Sequence, residues 1–450
     1  MPSIALLALG HHSVHERYRL HFFMVALTTI VAAAAAYALT AVGVRRNDRR
    51  AVVVGIAFSA MAALLLVHAL APPETDLPDR DGGLIAYAGV AALPVGAALL
   101  SLVGHPMLRE PGAVRRLLAL QAVLVGSILA IGAAGRVVPD LVPGHPVSRS
   151  PEAIVVLILA GTLFLRLAMR ARRTWLLTWR WADLWVMIGV GWLAIALAAS
   201  TLASSWSIDW WVGQDLQLLG LVAVGLPVAL DLRRHVQSQP LAGDLGAEDL
   251  VAHEETLLGP HVRSLMLRLA DKDGFTEQHA RRVALLAVRV GEELGLPPGR
   301  LRRLALGGLL HDIGKLRVPE AILRKPASLD DDERAVIRLH PAWGDQLAGE
   351  LGFDASTRRL IRSHHERLDG DGYPDGLSGG QLDADVRILT VCDVYDALVS
   401  DRVYRPAYDI GEAMSIMWAD AGRGFDPGCL RALAAVLGVE AERPPLRLAA

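Results

Sequence analysis

Cysteine is nearly absent, with two residues, Cys392 and Cys429, in a chain of 450. Two thiols cannot build a disulfide framework or a thiolate-rich structural zinc site, so both are read as unpaired cytosolic thiols. An excess of either charge is also missing. Forty-five Lys and Arg stand against 47 Asp and Glu, a net charge of −2, which leaves no basic footprint for a DNA or RNA polymer. The opening apolar stretch Ser3–Leu9 has no basic segment before it and no cleavage site after it, so a signal peptide is not expected. Charge is sparse before about residue 235 and frequent beyond it, which divides the chain into two regions of different chemistry.

The first region is built of apolar runs long enough to cross a bilayer core. Seven spans are expected near 22–44, 51–71, 84–104, 115–135, 153–171, 182–203 and 212–231, giving a seven-helix transmembrane bundle over 22–235 as a sensor domain after an extracytoplasmic N-terminus, 1–21. Arginines cluster in alternate loops, at Arg45-Arg46, Arg49-Arg50, Arg115-Arg116, Arg172-Arg173 and Arg233-Arg234, whereas Glu74, Asp76, Asp79 and Asp81 share one opposite loop. The positive-inside rule then places the N-terminus outside and the second region in the cytoplasm. His11, His12, His15, His21 and His68 match no ligand spacing and are read as interfacial histidines rather than a metal sensor.

A linker is expected over 236–261, broken by Gly243, Gly246 and Gly259-Pro260. Leu250 and Leu257, like Leu258 and Leu265, are one heptad apart, a spacing that suits a homodimer contact. Beyond it, apolar residues recur at helical spacing in His279–Val290 and again in Leu301–His311. The second region is therefore expected to be helical too, which makes the whole chain all-α. Gly307 and Gly308 cost helix propensity, and close approach of another backbone would compensate.

The chemistry lies in that second region. In order it carries His279, His311-Asp312-Ile313-Gly314-Lys315, His340, His364-His365-Glu366-Arg367-Leu368-Asp369-Gly370-Asp371-Gly372-Tyr373-Pro374, and Asp393. Imidazoles mixed with carboxylates suit first-row metals such as iron or manganese. Residues 262–437, followed by a tail at 438–450, resemble the HD-GYP family of metal-dependent cyclic di-GMP phosphodiesterases, a branch of the helical HD phosphohydrolases. No nucleotide-cyclase or EAL-type signature accompanies them.

The resemblance implies two divalent metal ions. His279, His311, Asp312 and Asp393 would hold one, His340, His364 and His365 the other, and Asp312 would bridge. Some members place a third metal on a glutamate four residues before the first ligand histidine; this chain has Phe275 there, which favours two. Asp312 and Lys315 are the expected catalytic residues, with Lys315 on a phosphate oxygen. Arg402 and Arg405, together with the Gly372-Tyr373-Pro374 loop, are the expected contacts to cyclic di-GMP. The implied whole is a phosphodiesterase anchored in the bilayer of a bacterial inner membrane, yielding pGpG, with or without onward cleavage to GMP. The alternatives are a non-catalytic cyclic di-GMP receptor and an enzyme for another cyclic dinucleotide.

Overall fold

A computed structural model describes residues 14–70, 82–104, 112–137, 149–203, 207–233, 246–273, 277–401 and 406–439. Among these there is no strand, only isolated bridges at Asp369–Ser378 and Ala421–Phe425. The chain divides into two compact units, Met1–Asp244 and Leu245–Ala450.

The first unit contains helices α1 (Val14–Arg46), α2 (Arg49–Ala69), α3 (Gly82–Ser101), α4 (Ala113–Val137), α5 (Pro151–Thr178), α6 (Trp181–Leu202) and α7 (Ile208–Arg233). All but α3 are long and apolar enough to cross a bilayer; the apolar stretch of α3, Tyr87–Ser101, is shorter. Helix α1 starts eight residues before the expected span, so His21 lies on it. His21 Nε2 stands 3.1 Å from His68 Nε2, while nothing is described of the side chains of His11, His12 and His15. Helix α5 runs past residue 171, with Arg172 and Arg173 exposed, and ends in a left-handed Trp179. α1 packs on α2 and α7, α2 on α3 and α4, and α5 on α6. The interior is apolar, with Leu39, Phe58, Phe164, Leu193 and Leu221 fully buried.

The second unit contains α8 (Ala247–Leu257), α9 (Pro260–Asp273), α10 (Glu277–Glu293), α11 (Pro298–Leu310), a 3-10 turn at Ile313–Arg317, α12 (Glu320–Leu323), α13 (Asp331–Arg338), α14 (His340–Glu350), α15 (Ala355–Ser363), α16 (Ala384–Leu398), α17 (Ile410–Ala419) and α18 (Pro427–Leu437). Helix α10 is central, touching α11, α16 and α18. Its Val283, Ala287 and Val290 are wholly buried with Leu304 of α11 and Leu389 of α16; each large side chain so buried contributes roughly 1.5–3 kcal/mol. A Cβ on Gly308 would strike the backbone of Ala284, whereas Gly307 makes room for the Leu360 side chain. The expected backbone approach thus occurs at one glycine of the pair, and it brings α10 and α11 together beside the ligands. Helix α8 packs on α10 and α11 with Leu250 inside the unit, while Leu257 faces outward.

A candidate dinuclear metal centre

Each expected ligand sits where a helix begins, ends or faces the core. His279 lies two residues into α10, His311 follows the last residue of α11, His340 opens α14, His364 and His365 follow α15, and Asp393 lies on α16. His279, His311, His340, His364 and Asp393 are buried. Two groups of converging ligand atoms form, His279 with His311 and Asp312, and His340 with His364 and His365. Asp312 stands between them, with Oδ2 3.3 Å from His311 Nε2 and Oδ1 3.2 Å from His340 Nε2. Asp393 Oδ1 is 3.3 Å from His279 Nε2, and its Oδ2 is 3.9 Å from His365 Nδ1. All seven expected ligands therefore meet in one place.

The backbone fixes how three of the rings present themselves. The Nδ1 atoms of His311, His340 and His364 lie 2.8, 2.8 and 2.7 Å from the carbonyl oxygens of Gly308, Ile337 and Ile361, each three residues earlier. A carbonyl only accepts, so each Nδ1–H donates and a neutral ring turns its Nε2 lone pair inward. Two such lone pairs, on His340 and His364, face each other at 3.3 Å, and the buried Nε2 of His311 makes no hydrogen bond. Converging lone pairs repel unless a cation lies among them. The donor set fits a pair of divalent ions, and its lack of sulfur matches iron or manganese better than a structural zinc site.

Charge on the two halves differs. Burial alone would lower His279, but hydrogen bonds to Asp393 and Asp396 prevail and raise it to about 9. Burial and the neighbouring imidazoles push His364 well below its ordinary range, and His365 is lowered to about 4, chiefly by burial. Burial also works against the Asp312 carboxylate, yet Lys315 and His311 hold it far below the usual range. A metal loading the His279 half must displace a proton at neutral pH, whereas the lowered His364 and His365 already offer lone pairs. Manganese affinity at the His279 half is therefore expected to climb as pH rises toward about 9 and then level off. The lowered His364 and His365 should release fewer protons on loading than His279, and calorimetry in buffers of different ionisation enthalpy would resolve the proton counts of the two halves.

Lys315 lies on the 3-10 turn, because α11 stops at Leu310 and the chain tightens after Asp312. Its Nζ is 2.8 Å from Asp312 Oδ2 and 3.2 Å from Asp273 Oδ2. Tyr373 stacks on His365 with ring centroids 4.8 Å apart, and the Arg338 guanidinium lies 5.3 Å from the Tyr373 ring centre. The loop is held by Glu366, whose carboxylate accepts from the amides of Asp375 (2.7 Å) and Leu377 (2.9 Å). Gly372 packs so close to Glu366 and Arg367 that a Cβ would collide with their backbone. Pro374 follows a cis peptide bond. Arg402, Arg405 and Phe275 fall outside the described residues.

Asp396 and Asp273 were not singled out as site residues from the sequence. Asp396 Oδ2 receives His279 Nδ1 at 2.7 Å and is clamped by Arg282 at 2.7 and 2.9 Å. Its spacing of three from Asp393 on one helix was the available signal; Asp273 offered none beyond lying six residues before His279. Asn in place of Asp396 is expected to lower manganese affinity by about 10–100-fold, with activity recovering in excess metal, as the loss of a partner that orients a ligand histidine does. Loss that excess metal cannot restore would assign Asp396 a different role.

Residues 263–429 match the family profile of the HD domain. Three curated relatives align here. The chain is 40% identical over 164 residues to the cyclic di-GMP phosphodiesterase response regulator RpfG of Xanthomonas campestris, covering 36% of this chain and 43% of that protein. It is 38% identical to a cyclic di-GMP phosphodiesterase of Pseudomonas aeruginosa, covering 43% and 47%, and 37% identical to the 3'3'-cGAMP-specific phosphodiesterase 3 of Vibrio cholerae, covering 37% and 36%. The chain spans less than half the length of each.

Proposed function

We propose that this chain is a membrane-anchored, metal-dependent phosphodiesterase that opens cyclic di-GMP to pGpG and onward to GMP. The observation that carries this reading is the sharing of Asp312 between two three-ligand groups, with Lys315 beside it. Two bound divalent ions would lower the pKa of an attacking water and neutralise the charge growing on the phosphodiester. His279, His311, Asp312 and Asp393 would hold one ion and His340, His364 and His365 the other. Lys315 brings a positive charge to the edge of the site, where it stabilises a phosphate oxygen in the transition state. Asp273 and Asp312 orient that ammonium and, against the effect of burial, keep it protonated. Tyr373, set by Gly372 and Pro374, offers a ring on which a guanine can stack, and Arg402 and Arg405 supply bidentate contacts to phosphate or guanine.

The outward faces of α1, α4 and α5 support the anchor. Ile30, Val123 and Leu159 are each more than 60% exposed, which suits acyl chains rather than water. The arginine-rich loops support a position for residues 262–437 on the cytoplasmic side of a bacterial inner membrane, with 22–235 as the sensor. Helix α8 packs within the second unit and Leu250 and Leu258 are buried there, so the expected 236–261 linker is shorter and the heptad spacing no longer argues for a homodimer. Full-length protein purified anaerobically with iron or manganese and offered cyclic di-GMP and 3'3'-cGAMP in parallel tests this. The expected result is release of linear pGpG, lost on chelation. Cleavage of 3'3'-cGAMP alone would move the chain to the other substrate class represented among its relatives. Tight binding of cyclic di-GMP without cleavage in the metal-loaded protein would make it a receptor.

A further inference from the structure

A cavity of about 600 Å³ opens between α1, α2 and α4, outside the metal centre and far from it in sequence. Its volume lies in the range of small-molecule sites, and it exists because alanines stand where larger residues would fill it, among them Ala33, Ala36, Ala62 and Ala122. Among the described residues, the lining contains no Lys, Arg, His, Asp or Glu. A phosphate headgroup or a carboxylate would find no counter-charge there. Three polar side chains, one from each helix, meet on the wall: Gln121 Nε2 donates to Ser59 Oγ at 2.6 Å and to Thr40 Oγ1 at 3.3 Å.

The lining also holds Thr29, whose hydroxyl donates to the Val25 carbonyl at 2.7 Å, and the exposed Tyr37. The capacity left over where Gln121, Ser59 and Thr40 meet defines the head-group contact. Both Nε2 protons of Gln121 are used, and Thr40 reaches Gln121 Oε1 only at 3.5 Å, so that oxygen retains acceptor capacity. Ser59 accepts from Gln121 and makes no other side-chain hydrogen bond among the described residues, which leaves its hydroxyl proton to give. One donor and one acceptor side by side match a group that both accepts and donates, and a hydroxyl does both. An ester or ether would leave the Gln121 oxygen unanswered in a low-dielectric wall, at a cost. We propose that this cavity binds a neutral single-chain amphiphile with a hydroxyl head group, a long-chain alcohol, with its chain along the alanine wall and its hydroxyl at Ser59 and Gln121.

This rests on the reading of the first unit as membrane-embedded, and not on the phosphodiesterase reading. The test uses the full chain in phosphatidylcholine nanodiscs with a photoreactive twelve-carbon alcohol, competed by 1-dodecanol or by dodecane. Saturable labelling of α1, α2 or α4 is expected, with dodecanol competing at least about tenfold better than dodecane, a factor typical of one neutral hydrogen bond. Gln121→Leu should erase that preference, and Ala122→Phe, on an open wall, should abolish saturable labelling while thermal unfolding stays unchanged. Labelling that never saturates, or that dodecane competes equally in the unaltered protein, means bilayer acyl chains only and overturns the proposal whatever the variants do. Failure of the protein to enter nanodiscs removes the membrane reading and this site with it, and leaves the hydrolysis assay untouched.

Discussion

Replacing Asp312 with alanine is expected to abolish turnover and to strip both ions from the protein. Its two oxygens are divided between the halves, one 3.3 Å from His311 and the other 3.2 Å from His340, so its removal takes a ligand from each half at once. Removing it also frees Lys315 from its nearer carboxylate partner and leaves a buried cation held by Asp273 alone. The loss should exceed about a thousandfold in kcat, as when a central member of a catalytic group is removed. Metal content should fall from about two ions per chain, the count of a dinuclear hydrolase. The two readouts together matter: retention of both ions with full activity would remove the shared-carboxylate reading, and three tightly bound ions in the unaltered protein would remove the inference from Phe275.

The second large effect concerns Lys315. Alanine here should lower kcat by about 10²–10³-fold while KM moves little, the pattern of an interaction made in the transition state. Arg402→Ala should do the reverse, raising KM more than it lowers kcat. Because Lys315 is buried between two carboxylates, its removal could weaken the scaffold, so metal content and the unfolding midpoint are measured on the same samples. A kcat loss with both unchanged assigns Lys315 to the chemistry. Interchanged patterns for the two variants would mean the roles are reversed.

The helices were legible because each is announced locally, as His279 and Val283 share a face of α10 through spacing alone. The ligand set came only from the resemblance carried by the order His-Asp, His, His-His, Asp; the fold brings those side chains together. What could not be read depends on contacts distant in the chain. Asp396 looks like one more charge on a helix until the fold brings His279 and Arg282 to it from more than a hundred residues away. Asp273 likewise gains meaning only from Lys315. Two expected spans stop short of their helices: α1 begins at Val14 rather than near 22, and α5 runs to Thr178 rather than 171, because helix geometry continues through polar residues at the span ends. Lys315 was expected one helical turn after the ligand pair and instead lies on a tighter 3-10 turn that brings its ammonium back onto Asp312.

Helix α8 sets a lower limit on what can be cut from this protein. It lies before the HD-domain match, which starts at residue 263, yet its Glu254 is 1% exposed and meets Arg302 of α11 at 2.7 Å. Arg302 is nine residues before His311 on the helix that ends at the metal centre. A fragment trimmed to the family boundary would leave Arg302 without its partner and bare the apolar faces of α10 and α11 that Leu250 and Val251 cover, inviting aggregation and poor metal loading. Recombinant fragments beginning near Leu245 keep that cover, and a protease that nicks the chain before Gly246 should release a soluble, metal-retaining piece.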